Sequence, residues 1–287
     1  NHYRAMIIES GNPVHSLPDS PKWRKAMRAL ECSVVIDIAM TETAREADYV
    51  LPATTQLEKA EATFFNFEFP ENYFHVRAPL FPAPDGVLDE AEIHARITEA
   101  LGGIPSGILD ELDSALTEGG REAFRNLVFK KLGDDPTIGR IAPVLLYRTL
   151  GKTLPNKMQN AAAVWAVCHQ HALAKRSSVE AAGITGEGMD LGDNLFDAII
   201  DGPSAVVISK EDWSDIWNRV PGGAINFDLP DMLGAAANLN SEEPQETTDE
   251  FPFLMSAGER RDYTANTIFR NPAWRRKDRD GAMYMNP

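Results

Sequence analysis

The sequence predicts an α/β fold in which parallel strands at the amino-terminal end are followed by a long helical region. Three observations predict it. The apolar run Arg4–Ser10 (RAMIIES) ends in the polar turn Gly11-Asn12-Pro13. The stretch Val34–Pro52 (VVIDIAMTETAREADYVLP) packs a buried strand, a capped turn, a short Ala-rich helix and a second strand into one continuous unit. Between Ile108 and Ala182 apolar residues recur at the three- and four-residue spacing of helices.

Taken in order, the pattern predicts strands near 4–10, 33–38 and 48–52, a helix near 20–30 and a short helix at 43–47. An amphipathic helix follows from Asp89 to Leu101, after an aromatic, proline-rich loop from Phe64 to Pro84. In the helical region Pro143 and Pro155 mark breaks. Gly183–Pro230 is richer in turns and β-branched residues, with strands predicted at Ala205–Ser209 and Ile225–Leu229. Asn240–Glu250 (NSEEPQETTDE) is acidic and free of apolar side chains, which predicts a solvated linker.

The bulk numbers narrow the function. With 287 residues, 43% of them apolar and 25% charged, the chain can bury a substantial core. A net charge of −15 argues against a nucleic-acid surface, which needs a basic face to neutralise phosphates. It leaves a nucleotide cofactor open, because such a ligand is held by a few local donors. Cys32 and Cys168 form neither a disulfide framework nor a metal-ligand spacing, and the longest apolar run, Ala161–Cys168, is too short to span a bilayer. A cytoplasmic compartment fits. Starting at Asn1 one step from a strand, the chain reads as a fragment, with any export leader upstream.

The candidate site follows from topology. In open α/β sheets, ligands bind outside the carboxyl ends of the parallel strands, and Asp37 stands where a strand runs out. Its carboxylate can accept two parallel N–H bonds from the N1 and exocyclic amine edge of guanine, a pairing adenine does not offer. The competing reading is a turn or capping aspartate. At the end of the first strand, Gly11 allows close backbone approach, Asn12 offers an amide that donates and accepts, and Pro13 fixes the exit direction. Thr41, Glu42 and Thr43 cap the short helix. Lys59 is a long-stemmed cation suited to a phosphate or ribose oxygen, with a solvated lysine as the plain alternative. Asp89 opens a helix, where capping alone would account for it. Cys168, His169 and His171 lie within one helical stretch, but nothing nearby supplies further metal ligands, so Cys168 reads as a core thiol. Trp213 and Trp217 read as helix packing, and His15 and His75 have no visible partner.

Gly11-Asn12-Pro13, Asp37, Thr41-Glu42-Thr43-Ala44, Ala47–Pro52 and Glu58-Lys59, in this order and spacing, resemble the third domain of the molybdopterin oxidoreductases, the family of formate dehydrogenases and nitrate reductases. The resemblance runs to Ala100-Leu101-Gly102. A shorter one begins at Phe251 (FPFLMSAGER) and is similar to the entry of the family's fourth domain, a β-barrel over the cofactor. The chain departs from the family where Glu61, Asn66 and Glu68 lack the usual paired arginines, and where Glu259 is inserted before Arg260.

The resemblance implies a Rossmann/flavodoxin-like parallel sheet over 1–102, a mainly helical insertion over 103–239, an acidic linker over 240–250 and the start of a barrel domain over 251–287. It implies a molybdenum ion held by two molybdopterin guanine dinucleotides, contacted by Gly11, Asn12, Pro13, Ile36, Asp37, Thr41, Thr43, Lys59 and Asp89, and by Gly258, Arg260 and Thr267 of the second match. The metal ligand and an iron–sulfur cluster would belong to earlier domains of the same polypeptide, with an electron-transfer partner beyond, so this stretch binds cofactor and leaves the two-electron step on a small substrate to the intact enzyme. A molybdenum-free scaffold subunit related to the large subunit of respiratory complex I is the alternative, and an unrelated flavodoxin-like nucleotide module ranks last.

Overall fold

Two sheets divide the strands of this computed structural model, which describes residues 3–63, 68–202, 204–241 and 247–254. The first sheet is parallel, with β1 (Ala5–Glu9), β2 (Cys32–Asp37) and β3 (Tyr49–Pro52) side by side in that order. Ala5 is paired with Cys32 and Glu9 with Ile36, while Val34 is paired with Tyr49 and Asp37 with Pro52. All three strands therefore run out at the same edge.

Helices cover both faces of this sheet, as parallel strands require. On one face α1 (Pro13–Ser16) and α2 (Ser20–Arg28) bury Val14 and Met27 against Val35 and Ala44. On the other, α3 (Glu90–Ala100) buries Ile93 against Ile36 and Ala53. The near-continuous apolar run of β2 reflects this two-sided burial. The predicted short helix at 43–47 is a single 3₁₀ turn, Ala44–Glu46, fastened to α2 because Arg24 and Arg28 both bond Glu46.

The second sheet is antiparallel and corrects the sequence reading. Within the stretch read as the loop Phe64–Pro84, Glu71–Arg77 forms β5, paired with β4 (Glu61–Thr63). Phe74 and Val76 alternate inward there, so a strand period was present between the prolines. The other partner of β5 is β6 (Val206–Lys210), which matches the strand predicted at 205–209. The strand predicted at Ile225–Leu229 does not form. That segment is exposed, and Asn226 Oδ1 accepts from the Asp228 amide in a local turn instead.

Helical spacing between 108 and 182 is confirmed as α4 (Ile108–Asp134, kinked at Gly120), α5 (Ala142–Arg148), α6 (Val164–Ala174) and α7 (Arg176–Ala181), joined by 3₁₀ turns. A further helix, α8 (Asp190–Asp201), falls in the stretch read as turns and strand. It buries Leu191, Leu195, Phe196, Ile199 and Ile200, a helical spacing hidden by the surrounding glycines and aspartates. The helices and the second sheet share one core, in which Ala60, Phe74 and Val76 meet Trp165, Leu195 and Phe196. Strands from the first hundred residues are thus built into the helical unit. Trp213 and Trp217, read as helix packing, belong to α9 (Trp213–Asn218) and are 66% and 53% exposed, although the Trp213 ring meets Phe69. Beyond α10 (Pro230–Asn238), residues 255–287 fall outside the described part of the chain.

Candidate functional site at the edge of the parallel sheet

The carboxyl ends of β1 and β2 are stitched together by side chains. Asn12 Oδ1 accepts from the Thr43 amide at 3.1 Å and from Thr43 Oγ1 at 2.8 Å, and Asn12 Nδ2 donates to Glu42 Oε2 at 2.7 Å. Thr43 Oγ1 in turn accepts from the Val14 amide at 3.1 Å, which sets the first turn of α1. Thr41 Oγ1 accepts from the Ala44 amide at 3.0 Å, the capping bond expected of it. Thr41 and Thr43 are 4% and 0% exposed. Both threonines therefore act on the ligand side only through the backbone they shape.

Asp37 is half-buried at the end of β2. Its Oδ1 accepts from the Ala39 amide at 3.2 Å, the turn bond that the competing reading of this aspartate expects, and its second oxygen has no hydrogen-bond partner among the described residues. The Asp37 carbonyl accepts from the Ala53 amide, which holds the end of β3 beside it. Ile36 is fully buried and supplies its carbonyl to the Ser10 amide, so its contribution to the edge is main-chain. Gly11 carries no internal requirement for glycine: a Cβ there would lie 3.5 Å from Ile8 Cγ2, an ordinary contact. Pro13 is the first residue of α1.

Lys59 and Asp89 approach from the α3 side. Lys59 Nζ bonds Glu90 Oε1 at 2.5 Å, with both side chains 17% exposed. Asp89 caps α3 through Oδ1, which accepts from the Glu92 amide at 2.8 Å. Burial pushes the Asp89 carboxyl above the ordinary aspartate range, the Glu92 amide opposing it and the charges of Glu90 and Glu92 adding to it. Arg148 of α5 forks onto Glu92 and Glu99 and so ties α3 to the helical unit.

The edge thus gathers Gly11, Asn12, Asp37, Thr41 and Thr43 from the strand ends, with Lys59 and Asp89 beside α3. Gly258, Arg260, Thr267 and Asn66 lie outside the described residues. Sequence reasoning missed Thr54 and Glu90. Thr54 follows β3, is 2% exposed, and its Oγ1 is buried without a partner; only the three-dimensional position reveals this. Glu90, next to Asp89, had no reason to be paired with a lysine thirty-one positions earlier. Among the described residues no group of three or more His, Cys, Asp or Glu side chains is placed to hold a metal ion, and no helix is long and apolar enough to cross a membrane.

A family model described as molybdopterin oxidoreductase matches residues 2–80. Over 97 residues the chain is 38% identical to the F420-dependent formate dehydrogenase subunit alpha of Methanocaldococcus jannaschii, an alignment covering 34% of this chain and 14% of that protein. It is 32% identical over 99 residues to the assimilatory nitrate reductase catalytic subunit of Bacillus subtilis, covering 34% of this chain and 13% of the relative. A 57-residue stretch is 42% identical to the trimethylamine-N-oxide reductase of Vibrio cholerae, covering 20% of this chain and 7% of that enzyme. The matched stretches span a small part of the length of each relative.

Proposed function

From a chain that belongs, through residues 2–80, to the molybdopterin oxidoreductase family, we propose that the carboxyl edge of the parallel sheet holds the guanine dinucleotide part of a molybdenum cofactor. The intact polypeptide would carry out two-electron redox of a small substrate, in keeping with relatives named formate dehydrogenase, nitrate reductase and trimethylamine-N-oxide reductase.

One observation carries the reading: Asp37 keeps an oxygen without a protein partner at the carboxyl end of β2, while the Asn12–Thr43 bonds fix the loops on either side. The donor set fits a purine nucleotide. Asp37 presents an acceptor to the N1 and amine edge of guanine, Asn12 and the glycine-bearing turn after β1 bring main chain close, and Lys59 and Asp89 offer a donor and an acceptor for ribose hydroxyls. Gly11, which the protein's own packing does not require, keeps that turn open to the ligand. When bound, the cofactor supplies the redox chemistry at its metal. This chain's residues bind and orient its nucleotide end.

The test is molybdenum and guanine-nucleotide content of the full-length polypeptide, purified from a host that makes the cofactor. Near one metal and two guanine nucleotides per chain is the expected result. A folded protein carrying neither would favour the scaffold-subunit alternative.

A further inference from the structure

The antiparallel sheet borders an open cleft of about 640 Å³, none of whose lining residues belongs to the edge of the parallel sheet. It opens where β6 gives way to Glu211 and where Lys175 joins α6 to α7. Phe69, just ahead of β5, and Ile216, Val220 and Pro221, from α9 and the turn after it, supply apolar walls. The Trp213 ring backs Phe69, and the Asn72 amide donates to Ser209 Oγ at 3.1 Å, which holds the β5 side of the cleft in place. The volume falls in the range of small-molecule sites.

One carboxylate here serves two cations. Glu211 Oε2 accepts from Arg219 Nη2 at 2.9 Å, while Lys175 Nζ stands 3.5 Å from Oε1, too far for a good hydrogen bond. The Glu211 side chain is only 11% exposed, whereas Lys175 and Arg219 keep 36% and 50% of theirs open to solvent. Arg219 uses Nη2 on Glu211 and Nε on the Asp215 carbonyl, which leaves Nη1 without a partner among the described residues. The Lys175 ammonium likewise donates no hydrogen bond among them. Glu68 also lines the cleft, but it is exposed and water screens its charge. Spare donors and one surplus positive charge therefore face an apolar wall.

We propose that this cleft binds a small carboxylic acid with an apolar body, whose carboxylate accepts from Lys175 Nζ and Arg219 Nη1 while its carbon skeleton covers Phe69, Ile216 and Val220. The ligand class follows from the lining. A cation is repelled by Lys175 and Arg219, a neutral molecule leaves their spare donors to water, and a dianion brings a second negative charge beside Glu211. The apolar walls add the area term that a bare anion such as acetate lacks.

2-Naphthoate and 2-naphthamide, alike in shape and different in charge, test this on the 15N-labelled 287-residue chain, with acetate as the anion that has no apolar body. 2-Naphthoate is expected to bind saturably and to shift the amide resonances of Lys175, Ile216 and Val220. It should bind about fivefold more tightly than 2-naphthamide, the worth of partly exposed ion pairs, and at least about tenfold more tightly than acetate. In Lys175→Met, which leaves Glu211 its bond to Arg219, the preference for naphthoate over naphthamide should fall to within about twofold. Equal affinity for the two naphthyl probes in the unaltered chain, resonances of the cleft unmoved by naphthoate, or a preference kept in full by Lys175→Met would overturn the proposal. Should that variant fail to fold, the affinities and amide shifts of the unaltered chain decide alone.

Discussion

Asn12 Oδ1 receives two hydrogen bonds from Thr43, one from its amide at 3.1 Å and one from its hydroxyl at 2.8 Å, across thirty-one positions of sequence. The contact fastens the exits of two parallel strands to each other before any ligand is present, so the edge is arranged in advance. Asn12→Ala removes both acceptor contacts and leaves the buried Thr43 amide unmet. We expect a loss of about 1–3 kcal/mol in stability, read by chemical denaturation. An unchanged midpoint would mean that the two loops are held by something else.

Asp37→Ala in the intact polypeptide should lower guanine-nucleotide and molybdenum content together. A charge-assisted bond is worth about 1.5–3 kcal/mol, which corresponds to at least a tenfold loss of affinity. Unchanged occupancy in this variant would sink the assignment of Asp37.

Asp193 tests the helical unit. It is 7% exposed and accepts from Trp165 Nε1 at 2.7 Å, with Arg125 and His169 also bonded to it. Burial works against its charge, but His169, Trp165 and Arg125 together hold its carboxyl below the ordinary aspartate range. A depressed acid stabilises the fold above its unfolded pKa and loses that contribution as pH falls through the folded value. Stability should therefore drop from about pH 4 downward, and Asp193→Ala should cost about 1–3 kcal/mol, because the buried Trp165 Nε1 loses its acceptor while Arg125 keeps its bond to Asp190. A Tm within a degree or two of the parent would refute this.

Asp89 has the opposite sign. Its carboxyl is raised, so its folded state is favoured below the unfolded pKa and the contribution is lost as pH rises through the folded value. Asp89→Asn keeps an N-cap acceptor for the Glu92 amide and removes the buried charge. Stability at neutral pH should rise and its dependence on pH in the carboxylate range should flatten, as thermal melts across pH 3–7 would register.

Gly192 lies under an aromatic ring. A Cβ at this position of α8 would stand 2.3 Å from His169 Nδ1, closer than any real contact. Gly192→Ala should cost about 1–3 kcal/mol through overpacking. An alanine tolerated without loss would show that the His169 ring moves freely.

Local order was legible in the sequence. The three parallel strands, the helices α2 and α3 and the capping Thr41 announced themselves through apolar runs and turn residues, because a short apolar run closed by a turn and a helix start each leave a local signature. Strand β5 and helix α8 were obscured, since prolines, aspartates and glycines around them carried stronger local signals than their own periods.

Which residues share the edge of the sheet was also foreseeable, because parallel strands must end on one side. Their partners were not. That Lys59 meets Glu90, that Thr54 hides an unpaired hydroxyl, and that Arg125, His169 and Asp193 converge inside the helical unit depend on contacts between segments distant in sequence. Sequence by itself determined the parallel strands, most of the helices and the order in which they present their polar ends. Only the tertiary structure decided which charge faces which, because side-chain pairing is fixed by packing across the fold, where no local pattern reaches.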